Sequence, residues 1–284
     1  FLNRKDSGSV MKRRWNPFKI LRYAGLIFMA ILTLYPLFWI GICSLKSSEE
    51  IYGSPFGLPK NPEWENYAES WQAADIPVHL LNSILYAAVA VAVVMVLSAM
   101  SAYIIAKVWK NKSSYNYYSL GIMIPINAII IPFILIFRSV RILNTRAGII
   151  LAFIVTNLAF SIFILVPFMK GLPDELEDAA RIDGCNRLQT FVKIMLPLSK
   201  AGLATVGTFV LINCWNDLFL SLLIVSKQNL ITLNQVCYNM RSQYAADYGL
   251  ITATVMIMVI PVIICYALFQ KQIVKGMTAG SIKG

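Results

Sequence analysis

Histidine is almost missing from these 284 residues: His79 stands alone, which leaves metal centres and imidazole-based catalysis little to build on. Charge is scarce as well. Asp, Glu, Lys and Arg make up 14% of the chain, against roughly a quarter in an average soluble domain, while 58% is hydrophobic. So small a polar complement cannot cover a surface in water. No Gly-Lys dipeptide occurs anywhere, which excludes a GxxxxGK[ST] phosphate loop and ATP binding by that route. The five cysteines, Cys43, Cys185, Cys214, Cys237 and Cys265, are odd in number, scattered and without CxxC spacing, so they propose neither a disulfide framework nor a metal site. No apolar run holds paired carboxylates and no nucleophile elbow is present, so a membrane-embedded enzyme has little support.

What the chain does have is apolar blocks long enough to cross a bilayer, a task that takes about 20 helical residues at about 1.5 Å each. Six spans are read, at about 20–44, 81–106, 117–139, 147–169, 201–226 and 250–270. They divide the chain into a short N-terminal segment, 1–19, a six-helix domain, 20–270, and a tail, 271–284. The first run is of full length and lacks a small-residue cleavage site after it, so it is expected to be a retained helix.

Basic residues set the orientation. Arg4, Lys5, Lys12, Arg13, Arg14, Lys19 and Arg22 precede the first span, and Lys107, Lys110 and Lys112 follow the second. Alternating assignment of the loops puts 18 of the 25 Lys and Arg on one side, expected to be cytoplasmic together with both termini. The opposite connection, 45–79, carries Glu49, Glu50, Glu63, Glu65, Glu69 and Asp75 and is rich in proline and glycine, which predicts loop with one short helix at most. The basic clusters are not gathered on one face with aromatic neighbours, so nucleic acid is not an expected partner; membrane lipid is.

Several spans carry breakers or amides: Pro36 in the first, Pro125 and Pro132 flanking Asn127 in the third, Asn157 in the fourth, Pro261 in the sixth. Freed backbone groups inside a membrane need protein or a wet cavity to satisfy them, which suggests a bundle around a pathway; kinks that improve packing are the alternative. The fifth span holds Asn213, Trp215, Asn216 and Asp217. On a continuous helix Asn213 shares a face with Asn216 or Asp217, a polar stripe that could line a pore. An intramembrane carboxylate marks a pathway or a paired partner by default; the other reading is that Asp217 fixes the outer helix end through Arg138 or Arg141.

Between the fourth and fifth spans, residues 171–200 form the one long connection on the cytoplasmic side. Pro173 is placed to open a helix whose first turns carry Asp174, Glu175, Glu177 and Asp178, negative charge that complements the helix dipole. Ala179, Ala180 and Ile182 complete it, and Gly184 is suited to end it in a left-handed conformation. A second helix is expected from about Asn186 to Met195, with Leu188, Phe191, Val192 and Met195 as its apolar face and Pro197 closing it. An acidic first helix disfavours attachment to lipid and suits a knob entering a cleft on a soluble partner.

The run Glu177, Asp178, Ala179, Ala180 to Asp183, Gly184, followed by Ile194, Leu196 and Pro197, resembles the EAA loop of binding-protein-dependent ABC importer permeases. That family's pattern is Glu-Ala-Ala, a short gap, Gly, and later Ile-x-Leu-Pro; Asp178 stands here in place of the Glu and keeps the charge on a shorter side chain. Glu65-Asn66-Tyr67, Asn82-Ser83, Leu143-Asn144-Thr145, Trp215-Asn216-Asp217 and the ending Gly276 to Gly284 are similar to the carbohydrate, maltose-type (MalG-like) branch. The resemblance implies an all-α polytopic membrane protein with the six-helix type I importer (MetI-like) fold. It implies half of a sugar translocation pathway in a bacterial cytoplasmic membrane, paired with a second, homologous permease. Two ATP-binding cassette subunits and an external or periplasmic sugar-binding protein complete the expected assembly. Glu177, Asp178, Ala179, Ala180, Asp183 and Gly184 would then couple to the ATPase, and Thr278, Gly280 and Lys283 in the tail would touch it. Asn82, Asn127, Asn157, Asn213, Trp215, Asn216 and Asp217 are the candidate pathway residues. No cofactor is expected on this chain; ATP and Mg belong to the ATPase. An ion-coupled secondary transporter would lead one to expect more spans and more intramembrane charge.

Overall fold

The computed structural model describes residues 17–243 and 247–279, and these are helical, with no strand among the described residues. The helices are α1 (Pro17–Cys43), α2 (Ser48–Gly53), α3 (Glu65–Ala73), α4 (Ile76–Tyr103), α5 (Lys112–Met123), α6 (Ile126–Ser139) and α7 (Arg146–Lys170). After them come α8 (Glu175–Ile182), α9 (Arg187–Thr190), α10 (Leu196–Leu198), α11 (Lys200–Asn216), α12 (Phe219–Ile224), α13 (Leu233–Gln243) and α14 (Tyr248–Ala279). Short π-helical stretches extend α4 through Ile104–Val108 and join α9 to α10 through Phe191–Met195.

Among the described residues, four uninterrupted helical stretches are long and apolar enough to cross a membrane: Leu21–Cys43, Ile76–Val108, Arg146–Lys170 and Tyr248–Leu268. The other two expected spans are broken. α5 and α6 meet at 94°, and Arg187–Leu198 meets α11 at 75°, so six crossings result only if each bent pair counts as one. The first break has a local cause. Ile124 is extended, as a residue before proline prefers, and Pro125 starts α6 with no N–H to give to a preceding turn. The expected span 117–139 is therefore two helices, beginning at Lys112. The expected span 201–226 likewise stops at Asn216, where Asp217 turns extended, and restarts as the short α12.

The connection read as loop holds two helices, α2 and α3, and α4 begins at Ile76 rather than 81, with Pro77 in its first turn and Asp75 left-handed at its N-cap. Pro173 lies outside α8, which starts at Glu175. Pro197 lies within the helical run it was expected to close.

The core is the packing of α4 against α7 and α11. Ala87, Ala90, Val94, Ser98 and Ala102 recur at spacings of three and four on α4 and are all buried. A face of small residues lets helix backbones approach closely where no water drives association. Gly202 and Gly207 do the same from α11: a Cβ on Gly202 would lie 2.9 Å from the Phe168 ring, and one on Gly207 would lie 3.0 Å from the Met95 sulfur. α1 stands apart. Only 6% of its apolar window is buried, and it rests mainly on α14.

Helix ends that lie far apart in sequence meet on two faces of the bundle. Lys107 and Asp174 define a near face that carries 171–200; Asn82, Asn144 and residues 226–231 define a distal face.

Candidate functional site

On the near face, α8 is fastened from below. Lys107, at the end of α4 and with its side chain 2% exposed, places its Nζ 2.5 Å from the Leu172 carbonyl and 2.6 Å from Asp174 Oδ1. Lys110 reaches the other carboxylate oxygen at 2.8 Å. The two ammonium groups hold the Asp174 carboxyl down at about 2, and Asp174 in turn raises Lys110. Glu177 is buried and lies near Tyr103, and Ala180 is buried at 1% exposure. A cavity of about 340 Å³ lies beneath, lined by Tyr103, Lys107, Glu177, Arg181 and Arg187 among others.

The six predicted coupling residues therefore divide into two sets. Glu177 and Ala180 are buried against the chain's own helices. Asp178, Ala179, Asp183 and Gly184 are exposed, with Arg181 Nη1 3.8 Å from Asp178. Gly184 has φ +79° and a Cβ there would meet nothing within 4 Å, so the glycine serves the turn and leaves open space outside it. Ile182 beside it is 86% exposed. On the following helical run Phe191 and Met195 are buried as expected, but Leu188 and Val192 face outward at 66% and 49% exposure. Ile182, Leu188 and Val192 give this face an apolar character.

Within the bundle, the α5–α6 break and the α11–α12 break face a common cavity of about 410 Å³. Pro125 and Ile126 line it from the α5–α6 break, Asn157 from α7, and Asn213, Asp217 and Phe219 from α11–α12. Asn213 Nδ2 donates to Asn157 Oδ1 at 3.0 Å, and Asn157 Nδ2 donates to the Phe153 carbonyl at 2.8 Å. Asp217 accepts from the backbone N–H of Leu220 and Ser221 and from the Ser221 hydroxyl, at 3.3, 3.0 and 3.1 Å. It caps α12. Neither Arg138 nor Arg141 forms an ion pair with it among the described residues.

The remaining pathway candidates lie elsewhere. Asn127 and Asn216 are exposed and do not line the cavity. Trp215 is half-buried, its carbonyl accepting from Asn234, and its indole Nε1 is buried without a partner among the described residues. Asn213 and Asp217 line the same cavity although α11 ends at Asn216 and Asp217 is extended. Asn82 sits on the distal face and donates to the carbonyls of Asn229 and Ile231 at 3.0 and 3.2 Å. There, His79, Asn82, Ser83 and Tyr86 present one stripe of α4 to the segment 229–233: His79 Nδ1 lies 3.1 Å from the Ile231 carbonyl, Tyr86 donates to that of Leu230, and Ser83 accepts from Leu233 N. Asn144, left-handed at φ 60°, accepts from Ser226 N and Lys227 N at 3.0 Å each. Thr278 falls within α14; Gly280 and Lys283 lie outside the described residues.

A helical bundle with broken spans, an internal cavity and an acidic helix fastened to one face is the setting in which comparison with known proteins becomes informative. Residues 94–279 match the family described as the binding-protein-dependent transport system inner membrane component. The chain belongs to that family. It is 32% identical over 270 residues to the diacetylchitobiose uptake system permease protein NgcG of Streptomyces coelicolor, covering 94% of this chain and 89% of the relative. It is also 32% identical over 268 residues to the multiple sugar-binding transport system permease protein MsmG of Streptococcus mutans, covering 92% and 96%. Among solved structures, a chain of a bacterial ABC transporter involved in import of the acidic polysaccharide alginate superposes with a TM-score of 0.78 at 26% identity, covering 89% of this permease and 95% of that chain. The expected importer fold thus holds, with its expected third and fifth spans bent.

Proposed function

We propose that this permease forms half of the carbohydrate pathway of an ATP-driven importer and that α8 is the handle by which a separate ATPase moves it. The observation that carries this reading is the two-sided character of α8. Its inner side is tied to the end of α4 through Lys107, which binds Asp174 and the Leu172 carbonyl, while Asp178, Ala179, Ile182 and Asp183 are exposed among the described residues. A helix held rigidly on one side and bare on the other passes a displacement to α4 as a rigid body. The exposed Ile182, Leu188 and Val192 give a docking partner apolar area to cover.

The partners follow from the family and from the relatives' sugar-transport names: a second permease, two ATP-binding cassette subunits that hold ATP and Mg, and an external sugar-binding protein. The near face is cytoplasmic in this reading, as the basic bias requires, with both termini on that side and Thr278, Gly280 and Lys283 near the ATPase. The cavity around Asn157, Asn213 and Asp217 is the part of the pathway that this chain lines. Amide and carboxylate groups beside phenyl faces suit sugar hydroxyls and ring C–H groups.

The test is Asp178→Lys and Gly184→Trp in the assembled transporter. Both variants are expected to insert and assemble in the membrane, to lose uptake and to lose sugar-stimulated ATP hydrolysis. Normal stimulated hydrolysis in either would overturn the coupling role of that residue.

A further inference from the structure

The segment from Lys46 to Glu63 is a compact loop whose neck is closed by Glu63 N donating to the Leu45 carbonyl at 3.0 Å. Its tip, from Ile51 to Pro59, has no charged residue and exposes Tyr52, Phe56 and Leu58, the last two at 74% and 72%, with Trp64 beyond the neck at 68%. The tip is folded back onto α1. Trp39 Nε1 donates to the Pro55 carbonyl at 2.8 Å, and the Trp39 and Phe56 rings lie 6.4 Å apart.

That contact fixes how deep the tip sits. Trp39 lies four residues, or about 6 Å, inside the end of α1 at Cys43. The apolar stretch Leu21–Cys43 has 23 residues, which is about 34 Å of helix against about 30 Å of hydrocarbon. Pro55 and Phe56 therefore lie level with the boundary between acyl chains and headgroups, beside the face of α1 that this chain leaves bare. The tip's polar backbone is fitted to such a place. Lys46, fully buried, donates its ammonium to the Ser54 carbonyl at 2.8 Å; Trp39 takes the next carbonyl; and Pro55 and Pro59 have no N–H to satisfy. Glu50 holds the return strand of the loop through Lys60 N at 2.8 Å.

We propose that this loop is a membrane anchor, its Phe56 and Leu58 inserted among the lipids of the leaflet on the distal face. Glu49, Glu50 and Glu63 near the neck make the attachment apolar rather than a matter of anionic headgroups. Anchoring the loop would hold the outer end of α1 at a fixed depth beside α14, where Tyr52 packs edge-on to Tyr248 at 5.4 Å.

The experiment is to place the photo-crosslinker p-benzoylphenylalanine at position 56, and separately at 58, in the complete transporter in native membranes. Position 32 on the bare face of α1 serves as the lipid-facing control. Irradiation and mass spectrometry are expected to show phospholipid adducts at 56 and 58 as at 32. Crosslinks from 56 and 58 to another subunit would overturn the proposal in favour of a protein partner. Unmodified peptide at both sites, with adducts at 32, would overturn it in favour of water. Two positions on the tip protect the test from the failure of one variant to assemble.

Discussion

The near and distal faces are held together by opposite kinds of chemistry. On the near face the fastening is ionic: Lys107 and Lys110 converge on Asp174 beneath α8. On the distal face it is neutral and directed at backbone: Asn144 takes two N–H groups, its own N–H donates to the Ile224 carbonyl at 2.8 Å, and Asn82, Ser83 and Tyr86 bind the segment 229–233. Charge pairs near water are tolerant of geometry and open to screening, whereas paired amide contacts hold one arrangement. The near face ties α8 to the end of α4, so a push on α8 is passed to α4. The distal face fixes the segment that follows α12, and α12 is the helix that Asp217 caps at the cavity wall.

The largest effect should come from the distal corner. A Cβ on Gly148 would press into the Ile142 backbone carbonyl, which cannot move without opening the turn between α6 and α7. Gly148→Ala is expected to cost about 3 kcal/mol, seen as a lower melting temperature in detergent. Gly184→Ala, on the near face, carries only the left-handed backbone penalty of about 1 kcal/mol, since its Cβ enters open space. Equal losses at the two glycines would break the distinction between a packed corner and an open one. Next comes Lys107→Met, which removes the buried bond to Leu172 and should cost about 2 kcal/mol from that bond alone. Its signature is functional: α8 loosens, and uptake per ATP hydrolysed falls while the distal amides keep their exchange rates. Asn144→Ala should do the reverse at about 1 kcal/mol, speeding exchange at the Ser226 and Lys227 amides and leaving α8 protected.

How much of this was legible in the sequence depended on whether the deciding contact was local. α8 and its glycine end were readable because acidic first-turn residues and a left-handed Gly184 act within one helix. The six spans were readable as apolar runs, yet both breaks hid inside them. Pro125 looked like a kink because a proline alone does not say whether the chain resumes in line, and the bend depends on the helices packed around it. Asp217 could be read as a pathway carboxylate or as a helix end fixed by a distant arginine. Its partners are Leu220 and Ser221, invisible as such until the helix is known to stop at Asn216. The acceptors of Asn82 lie at 229 and 231, across a separation that no periodicity reports. Leu188 and Val192 were read with Phe191 and Met195 as one apolar face, yet they are exposed while Phe191 and Met195 are buried, because spacing along one helix does not say how much of its face a neighbour covers.

The smallest effect separates the two faces by pH. Asp174 sits near 2 in the folded chain against 3.8 unpaired, so its contribution is complete above the unpaired value and is lost as pH falls toward the folded one. Lys110 is shifted the other way, above 10.5, so its share is complete below that value and is lost as pH rises through the folded one. Between those limits the near-face ion pairs are insensitive to pH, and neutral bulk solution is not where they switch. Amide exchange at Glu175–Ile182, corrected for its intrinsic pH dependence, should therefore stay flat through neutrality and speed up only below about pH 4. The amides of Ser226, Lys227 and Leu233, which donate to neutral side-chain oxygens, should hold their protection at the same acid pH. Equal acid loosening at both sets would mean that the distal clamp depends on the ion pairs across the bundle, and the two faces would then have to be treated as one mechanical unit.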